Sequence, residues 1–593
     1  MVLPVMPAIT RRTLIAKEDN LPPEIHPVLR RVYLGRGIDS AKDLELGLDR
    51  LHSPHLMKGM DAAVELLLEM LSRQRRILVV ADFDADGATS CAVAVRGLRT
   101  LGFRQVDYFV PSRFEHGYGL TPEIVEIAAK RSPALIVTVD NGIASIEGVM
   151  RANELGIRVL VTDHHLPGEK LPPAAAIINP NQPGDIFPSK HLAGVGVMFY
   201  LLLALRKQMR ENGCFSRPGN PEPNLAALLD LVALGTVADV VPLDHNNRIL
   251  VEQGLRRIRA GQCCPGISAL LQVARRDPRH VVASDLGFAI GPRLNAAGRL
   301  TEMSRGVECL LSDRPAKALA LACELDELNR ERRGIEAQMQ AEATLDLAKL
   351  EMESDETPTA VLVLYRSEWH QGVIGILASR IKAQHHRPVI AFADGEDGTL
   401  KGSARSIAGV HIRDVLERVA VQHEGLILRF GGHAMAAGLK IPANRLDEFR
   451  TRFNAEVARV AGETLGYSHI VTDGTLCATE LDLDLAQQLE RGGPWGQGFP
   501  EPLFDGRFKI VDHRVLADQH VKLTLSPEDD EQTHIDAIAF RQASALDTLR
   551  GDRLHIAYRL EVNRYRGENR PQLVVETIRD VAEDTEGVDE KIA

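Results

Sequence analysis

Apolar positions along the first half of the chain come in short, unbroken runs: "ILVV" at 77–80, "ALIVTV" at 134–139 and "IRVLV" at 157–161. β-Branched runs without a polar alternate position belong to strands covered on both faces, and helical segments separate them, so a parallel α/β sheet is predicted. The helices carry readable ends. Thr121-Pro122-Glu123 offers a cap, a proline at the first helical position and an acid in the first turn, while Gly102 and Gly156 stand where helices should stop.

From about 314 to 350 the pattern becomes one long helix, interrupted only by Gly334, with charge on one side and Leu, Ala and Met on the other. A coiled coil and an inter-domain connector both fit, and the connector is the reading adopted. A second α/β segment follows, with strands over 359–365 and 387–393 around a helix at 372–384. Beyond 500, "VKLTL" (521–525), "LHIAY" (554–558) and "LEVNRY" (560–565) alternate with period two, which predicts a small antiparallel barrel. The expected organisation is an N-terminal region over 1–70 packing on a first α/β domain at 71–312, a connector helix at 313–352, a smaller α/β domain at 353–462, a barrel at 463–579 and an acidic tail at 580–593. A chain of 593 residues needs several such cores.

Composition changes this picture little. The chain is 45% hydrophobic and 25% charged, and no run approaches the roughly 18 apolar residues of a membrane helix. The start, "MVLPVMPAITRRTL", lacks the apolar core of a secretory signal. Seven scattered cysteines without a CxxC read as a reduced, cytoplasmic chain. A net charge of −11 argues against a uniformly nucleic-acid-coating protein, but the tail "DVAEDTEGVDEKIA" holds six acids against one lysine, so a local basic channel stays possible.

The chemistry lies at the strand ends. The first run ends in "DFDADG", placing Asp82, Asp84 and Asp86 on alternate positions that would share one face of an extended strand. Three like charges so close invite a cation. The next run ends at Asp140 in "TVDNG", and the third at Asp163, His164 and His165 in "TDHH". Ligands of open parallel sheets bind at the carboxyl ends of the strands, so these clusters should converge. A fourth acid, Asp239 of "LGTVADVVPL", follows the helical run "LAALLDLVAL". One aspartate at a strand end serves equally well as a cap or turn residue; four clusters around one sheet point to a site. Aspartates with imidazole and no thiolate suit a hard ion, Mn²⁺ or Mg²⁺, and shared carboxylates suit two ions about 4 Å apart.

In this order, "DFDADG", "VDNG", "TDHH" and "ADVVPL" resemble the four motifs of DHH-family phosphoesterases, and the match continues through "GPRLNAAGRL" (291–300), "GSARS" (402–406), "FGGHAMAAG" (430–438) and "PWGQGFPEPLF" (494–504). The resemblance covers nearly the whole chain and looks like the family's single-strand-specific exonuclease branch. It implies a parallel-sheet DHH catalytic domain, a connector helix, a smaller DHHA1-type α/β phosphate-binding domain and a C-terminal OB-like barrel. It also implies metal ligation by Asp82, Asp84, Asp86, Asp140, His164 and Asp239. Asp163 would orient a neighbour, and His165 would donate toward the scissile phosphate or leaving group. Some DHH pyrophosphatases carry a histidine four residues before the aspartate matching Asp84; here Val80 stands there, which favours the nuclease branch.

Substrate contacts implied by the same resemblance are Arg113 of "PSRFEHGYGL", Arg293 and Asn295, Ser403 and Arg405, and Gly431, Gly432 and His433. From the residues alone, "FGGHAMAAG" is either a close-packed turn with a core histidine or a phosphate cradle followed by a helix start, and Arg405 is either a surface arginine or a phosphate ligand. In the barrel, Tyr558, Arg564, Tyr565 and Arg566 are candidates for bases and phosphates, each equally explicable as fold, so only the domain is assigned to binding. The implied activity is digestion of single-stranded DNA from the 5′ end to 5′-mononucleotides with two divalent cations, Mn²⁺ or Mg²⁺, in DNA repair and recombination. The implied partners are single-stranded DNA, a single-strand-binding protein and a RecQ-type helicase, with no membrane, and the chain is expected to be a monomer. Two rivals share the metal motifs. A phosphodiesterase for oligoribonucleotides or cyclic dinucleotides is usually shorter, and a non-catalytic scaffold would have lost ligands that are all present here.

Overall fold

The computed structural model describes residues 8–581, apart from 17, 113, 116, 217–218, 354–358, 463–468, 518, 547–548 and 550. Arg113 and nearly all of the acidic tail therefore lie outside the described residues. Strand β1 (Ala8–Arg11) belongs with the far end of the chain. The strands that follow it, β2 (Ile77–Ala81), β3 (Val106–Phe109), β4 (Leu135–Val139), β5 (Arg158–Thr162) and β6 (Ala176–Ile178), form one parallel sheet in the order β3-β2-β4-β5-β6.

The aliphatic runs are continuous because each strand feeds two cores. In β2, Ile77, Val79 and Ala81 pack toward helices Met60–Ser72, Ala85–Thr100 and Gly194–Glu211. Leu78 and Val80 pack toward Pro122–Ala129 and Ile146–Glu154. The predicted helix ends hold: the Thr121 hydroxyl accepts from the Ile124 amide, and Gly102 and Gly156 adopt φ of +98° and +73° just past their helices.

The connector is a single helix, Pro315–Glu353, that runs through Gly334. Its first half buries Ala318, Leu321, Ala322 and Leu325 in the first core. Its second half buries Met339, Ala343 and Leu347 around Trp369, Val373 and Leu377 of the next domain. Polar contacts fix the second joint: Trp369 Nε1 donates to Glu342 at 2.9 Å, and Arg366 pairs with Asp346 through two nitrogens at 2.9 and 2.8 Å. One helix serving two cores explains why its apolar positions do not form a single stripe.

The smaller domain is a mixed sheet of β7 (Leu362–Tyr365), β8 (Val389–Asp394), β9 (Thr399–Arg405), β10 (Arg429–Gly432) and β11 (Ala436–Pro442), in the order β10-β11-β9-β8-β7. After it, β12 (His469–Thr472) pairs in parallel with β1. Arg11 reaches Asp505, and Arg12 and Arg36 reach Asp473, so the N-terminal segment grips the approach to the barrel as well as the first domain.

The barrel is closed in the order β13-β14-β15-β17-β16, from β13 (Phe504–Leu516), β14 (His520–Pro527), β15 (Ile535–Ala539), β16 (Arg553–Asn563) and β17 (Arg570–Asp580). Two expectations change. The segments 554–558 and 560–565 belong largely to one strand, β16, whose alternation slips because the register shifts between Ala557 and Tyr558. The barrel is also not wholly antiparallel, since β15 and β17 pair in parallel to close it. Tyr558 is fully buried against Phe504 and Phe508 and is core, while Arg564 pairs with Glu490.

Candidate metal centre

Asp82, Asp84 and Asp86 do not share a strand face. Strand β2 ends at Ala81, Asp84 caps the helix Ala85–Thr100 by accepting from the Gly87 amide at 3.0 Å, and Asp86 lies in that helix's first turn. The chain therefore turns between the first acid and the third, and they converge through the turn. Gly87 is required by close approach: a Cβ there would stand 2.4 Å from the Asp82 carbonyl oxygen. The Asn295 side chain holds the same turn, its Oδ1 accepting from the Ala85 amide at 2.9 Å.

Asp140 follows β4 with φ of +62°, a left-handed conformation that a non-glycine residue keeps only when its surroundings enforce it. Next to it, the Asn141 amide donates to the Val80 and Val139 carbonyls at 3.2 and 2.9 Å and ties together the ends of β2 and β4. Asp163 follows β5. Its Oδ1 accepts from the His164 and His165 amides at 2.8 and 3.1 Å and lies 2.8 Å from His165 Nδ1, while Oδ2 accepts from the Ile143 amide at 2.8 Å. Asn179 and Asn181 donate to the carbonyls of His165 and His164 at 2.9 and 2.6 Å. Asp239 ends the helix Leu229–Ala238. Asp86 accepts the Gly194 and Val195 amides, at 2.6 and 3.0 Å, from the start of helix Gly194–Glu211.

These elements bring one histidine and five acids together. His164 Nε2 stands 3.1 Å from Asp140 Oδ1 and 3.5 Å from Asp239 Oδ2. Ligand atoms of Asp82, Asp84 and Asp140 lie within 4.8 Å of one another; the same holds for Asp86, His164 and Asp239, and for Asp140, His164 and His165. Asp140 Oδ1 and His164 Nε2 are buried without a hydrogen bond, which is costly unless a ligand satisfies them. Carboxylates with one imidazole and no thiol fit a hard divalent cation, and the overlap of the groups through Asp140 and His164 fits two adjacent ions.

Electrostatics say the same. Burial and then the Asp84 charge push Asp86 up to about 7. Burial and the neighbouring acids hold Asp140 and Asp239 well above the usual carboxylate range. Burial and the His165 charge push His164 down to about 4. For His165 burial opposes the cation, but the Asp163 hydrogen bond and the surrounding acids raise it to about 9. Burial likewise opposes the Asp163 anion, and the two histidines with the Ile143 amide outweigh it and hold that carboxyl low.

The residues expected on the substrate side fare differently. Arg405, in β9, donates from Nε to Ser379 Oγ at 3.1 Å and from Nη1 to Ser403 Oγ at 3.0 Å. No carboxylate among the described residues pairs with it, and burial alone lowers its pKa. A Cβ at Gly375 would stand 2.9 Å from Arg405 Nη2 and 3.0 Å from Ser403 Oγ, so the start of helix Ile374–His385 faces both. Arg293 is engaged by Asp326 of the connector helix at 2.8 Å and by the Ala289 carbonyl, which makes it a joint between elements. Asn295 braces the Asp84–Ala85 turn. Gly431, Gly432 and His433 are exposed on the β10–β11 hairpin, where the His433 amide donates to the Ala436 carbonyl at 2.8 Å. No helix starts there: after the turn, Ala437, Leu439 and Ile441 point inward with period two, and the second strand pairs with β9. The His433 ring lies within electrostatic reach of His165 and His164.

Sequence reasoning passed over Tyr118, whose hydroxyl lies 3.2 and 3.4 Å from the two His165 nitrogens. It also missed the Gly194-Val195 amides and the bracing Asn141, Asn179 and Asn181. "GYGL", "VDNG", "AGVGV" and "INPNQ" carry these residues, and their glycines and asparagines beside strand and helix ends were the available signal.

Residues 76–236 match the model of the DHH family, N-terminal domain; residues 358–459 match the DHHA1 domain and 472–577 the RecJ OB domain. The chain is 54% identical over 564 residues to the single-stranded-DNA-specific exonuclease RecJ of Dickeya dadantii, covering 94% of this chain and 97% of that one. Its structure resembles that of RecJ in complex with Mn²⁺ from Thermus thermophilus, with a TM-score of 0.78 and 32% identity over 99% of this chain and 81% of that one. The Mg²⁺ complex from the same organism gives 0.72 and 29%, over 97% and 78%.

Proposed function

The chain belongs to the RecJ family of single-stranded-DNA-specific exonucleases, and we propose that it hydrolyses single-stranded DNA from the 5′ end, releasing 5′-mononucleotides. The observation that carries this reading is the buried, hydrogen-bond-free pair Asp140 Oδ1 and His164 Nε2 at the meeting point of the acid clusters. Asp82, Asp84, Asp86, Asp140, His164 and Asp239 are the groups that would hold two divalent cations, Mn²⁺ or Mg²⁺. Bound there, such ions supply positive charge that acidifies a water and neutralises phosphoryl oxygens.

The remaining residues position and exchange protons. The Gly194 and Val195 amides orient Asp86, and Asn141 keeps the ends of β2 and β4 in register beneath the site. Asp163 fixes the His165 ring through Nδ1 and keeps it protonated at neutral pH, so its other nitrogen can donate toward the scissile phosphate or the departing 3′ oxygen. Tyr118 stacks edge-on against that ring and limits its rotation.

Arg405, Ser403 and the start of helix Ile374–His385 lie together, and no carboxylate among the described residues pairs with Arg405, which suits a terminal 5′-phosphate. Gly431, Gly432 and His433 on the exposed β10–β11 hairpin would meet the following phosphates. The two domains touch beside the site, where Arg299 Nη1 donates to the Gly372 carbonyl at 3.1 Å, and a cleft between them too narrow for a duplex would account for the choice of single strands.

No helix among the described residues is long and apolar enough to cross a membrane. Seven free cysteines, two of them fully buried, suit a reducing cytoplasm. We place the enzyme there as a monomer in DNA repair and recombination, working on strands exposed by a RecQ-type helicase and coated by a single-strand-binding protein. The test is digestion of 5′- and 3′-labelled single strands, with blunt duplex and RNA as controls. Early release of 5′ label as mononucleotide, lost with EDTA and in Asp140→Ala, supports the reading. Equal digestion of duplex, or first release from the 3′ end, overturns it.

A further inference from the structure

Phe288 has no visible work in the fold. It lies in a π-helical turn, Leu286–Ile290, with 80% of its surface exposed. Such turns occur frequently at functional sites. Large exposed aromatics are scarce: Tyr118, Phe288, Phe540 and Tyr565 are the ones among the described residues, and Phe288 is the most exposed.

Its position is beside the metal centre. The π turn packs on the end of helix Leu229–Ala238: Cβ atoms at Gly287 and Gly291 would stand 3.2 Å from Val237 Cγ1 and 3.3 Å from Ala238 Cβ. Asp239 is the next residue. After it, Val240 is held at φ of +60° with 63% of its surface exposed, and Leu166, after His165, is 65% exposed. Apolar side chains thus project beside two of the site's ligand-bearing segments. From Phe288 the chain enters helix Gly291–Leu300, which passes Asn295 at the Asp84–Ala85 turn and reaches the second domain through Arg299. Eleven helical steps span about 16 Å, from Phe288 to the inter-domain contact of Arg299.

We propose that Phe288 is a stacking platform for a nucleobase of the substrate strand beside the metal centre. The inference rests on the single-strand exonuclease reading and deepens it. An enzyme that consumes any sequence needs a contact common to all bases, and the π-face is that contact. A base still paired and stacked in a duplex cannot offer that face, so the platform would add a chemical reason for strand choice to the steric one.

The test is steady-state digestion of single strands that carry one abasic nucleotide, walked inward from the 5′ end. In the wild-type chain KM should rise at one position of the abasic nucleotide, by roughly 5- to 140-fold, the range expected for one base–aromatic stack. Phe288→Ala should show that raised KM on intact strands and no further rise with the abasic strand. Phe288→Tyr should restore the wild-type value, and Phe288→Leu should not. Phe288→Trp should report the stack directly by fluorescence quenching on binding oligothymidylate in EDTA, because Trp369 is only 3% exposed and Trp495 is packed between Tyr33 and Phe499. Unchanged KM in Phe288→Ala, or additive losses at every abasic position, overturns the platform while the exonuclease reading stands. A wild-type chain that leaves single strands intact overturns both.

Discussion

Asp163 and His165 close a unit three residues long: Asp163 Oδ1 lies 2.8 Å from His165 Nδ1 and also accepts that histidine's own amide at 3.1 Å. The carboxylate therefore fixes backbone and ring together, and it is the reason the imidazolium survives burial. Asp163→Asn keeps the shape but turns an amide N–H toward donors. Turnover on single-stranded DNA should fall about 10- to 100-fold, the usual range for losing a group that orients a metal-site residue. In the metal-free protein the His165 pKa should drop from about 9 toward its ordinary value, as NMR titration would read. Unchanged turnover would remove Asp163 from this role.

The crowded acids make the metal-free fold sensitive to pH. Asp86, Asp140 and Asp239 have raised pKa values in the folded chain, as has His165, so the folded state keeps protons that the unfolded chain has released. Stability then declines as pH rises. His164 acts oppositely, but its window closes near the ordinary histidine pKa of about 6.5. Thermal melts in EDTA should therefore fall between pH 6.5 and 8.5, and added Mn²⁺ should flatten the slope. A melt that rises over that interval in EDTA would contradict the arrangement.

Gly194 carries no side chain because Asp140 occupies the space: a Cβ there would stand 2.6 Å from Asp140 Cβ. Gly194→Ala should push apart the helix start and Asp140, weakening Mn²⁺ binding by about 10- to 100-fold while the fold persists. Isothermal titration alongside circular dichroism separates these effects.

Arg405 is expected to read the terminal phosphate. Replacing it with alanine should cost 5′-phosphorylated strands about 10- to 150-fold in kcat/KM, the value of charged hydrogen bonds, and leave 5′-hydroxyl strands nearly unaffected. Lysine should rescue little, because it lacks the planar fork that spans Ser379 and Ser403. Equal loss on both kinds of end would assign Arg405 to the fold.

Asp473 and Arg36 are a buried pair, bound at 2.8 and 2.9 Å, that joins the N-terminal segment to the barrel. Asp473→Ala strands the guanidinium and should destabilise this joint by about 3–5 kcal/mol in urea unfolding. A loss below 1 kcal/mol would show that Arg36 finds another partner.

Local pattern was enough for the central strands, the connector helix and the chemistry of the site. Aliphatic runs marked strands buried on two faces, because each strand must feed two cores. The strand-end acids announced a hard-cation site, because a parallel sheet gathers its carboxyl ends on one side. Alternation beyond residue 500 announced a barrel. Packing between distant segments settled the rest. Whether Asp82, Asp84 and Asp86 lie on a strand or around a turn depends on where β2 ends, and the close approach of Gly87 to the Asp82 carbonyl sets that. The glycine-rich segment at 430–438 became a hairpin because β9 offered an edge to pair with. Arg293 looked ready for a phosphate until the connector helix brought Asp326 to it from 33 positions away. Composition and spacing name the donors and acceptors, but only packing decides which of them remain available for a ligand.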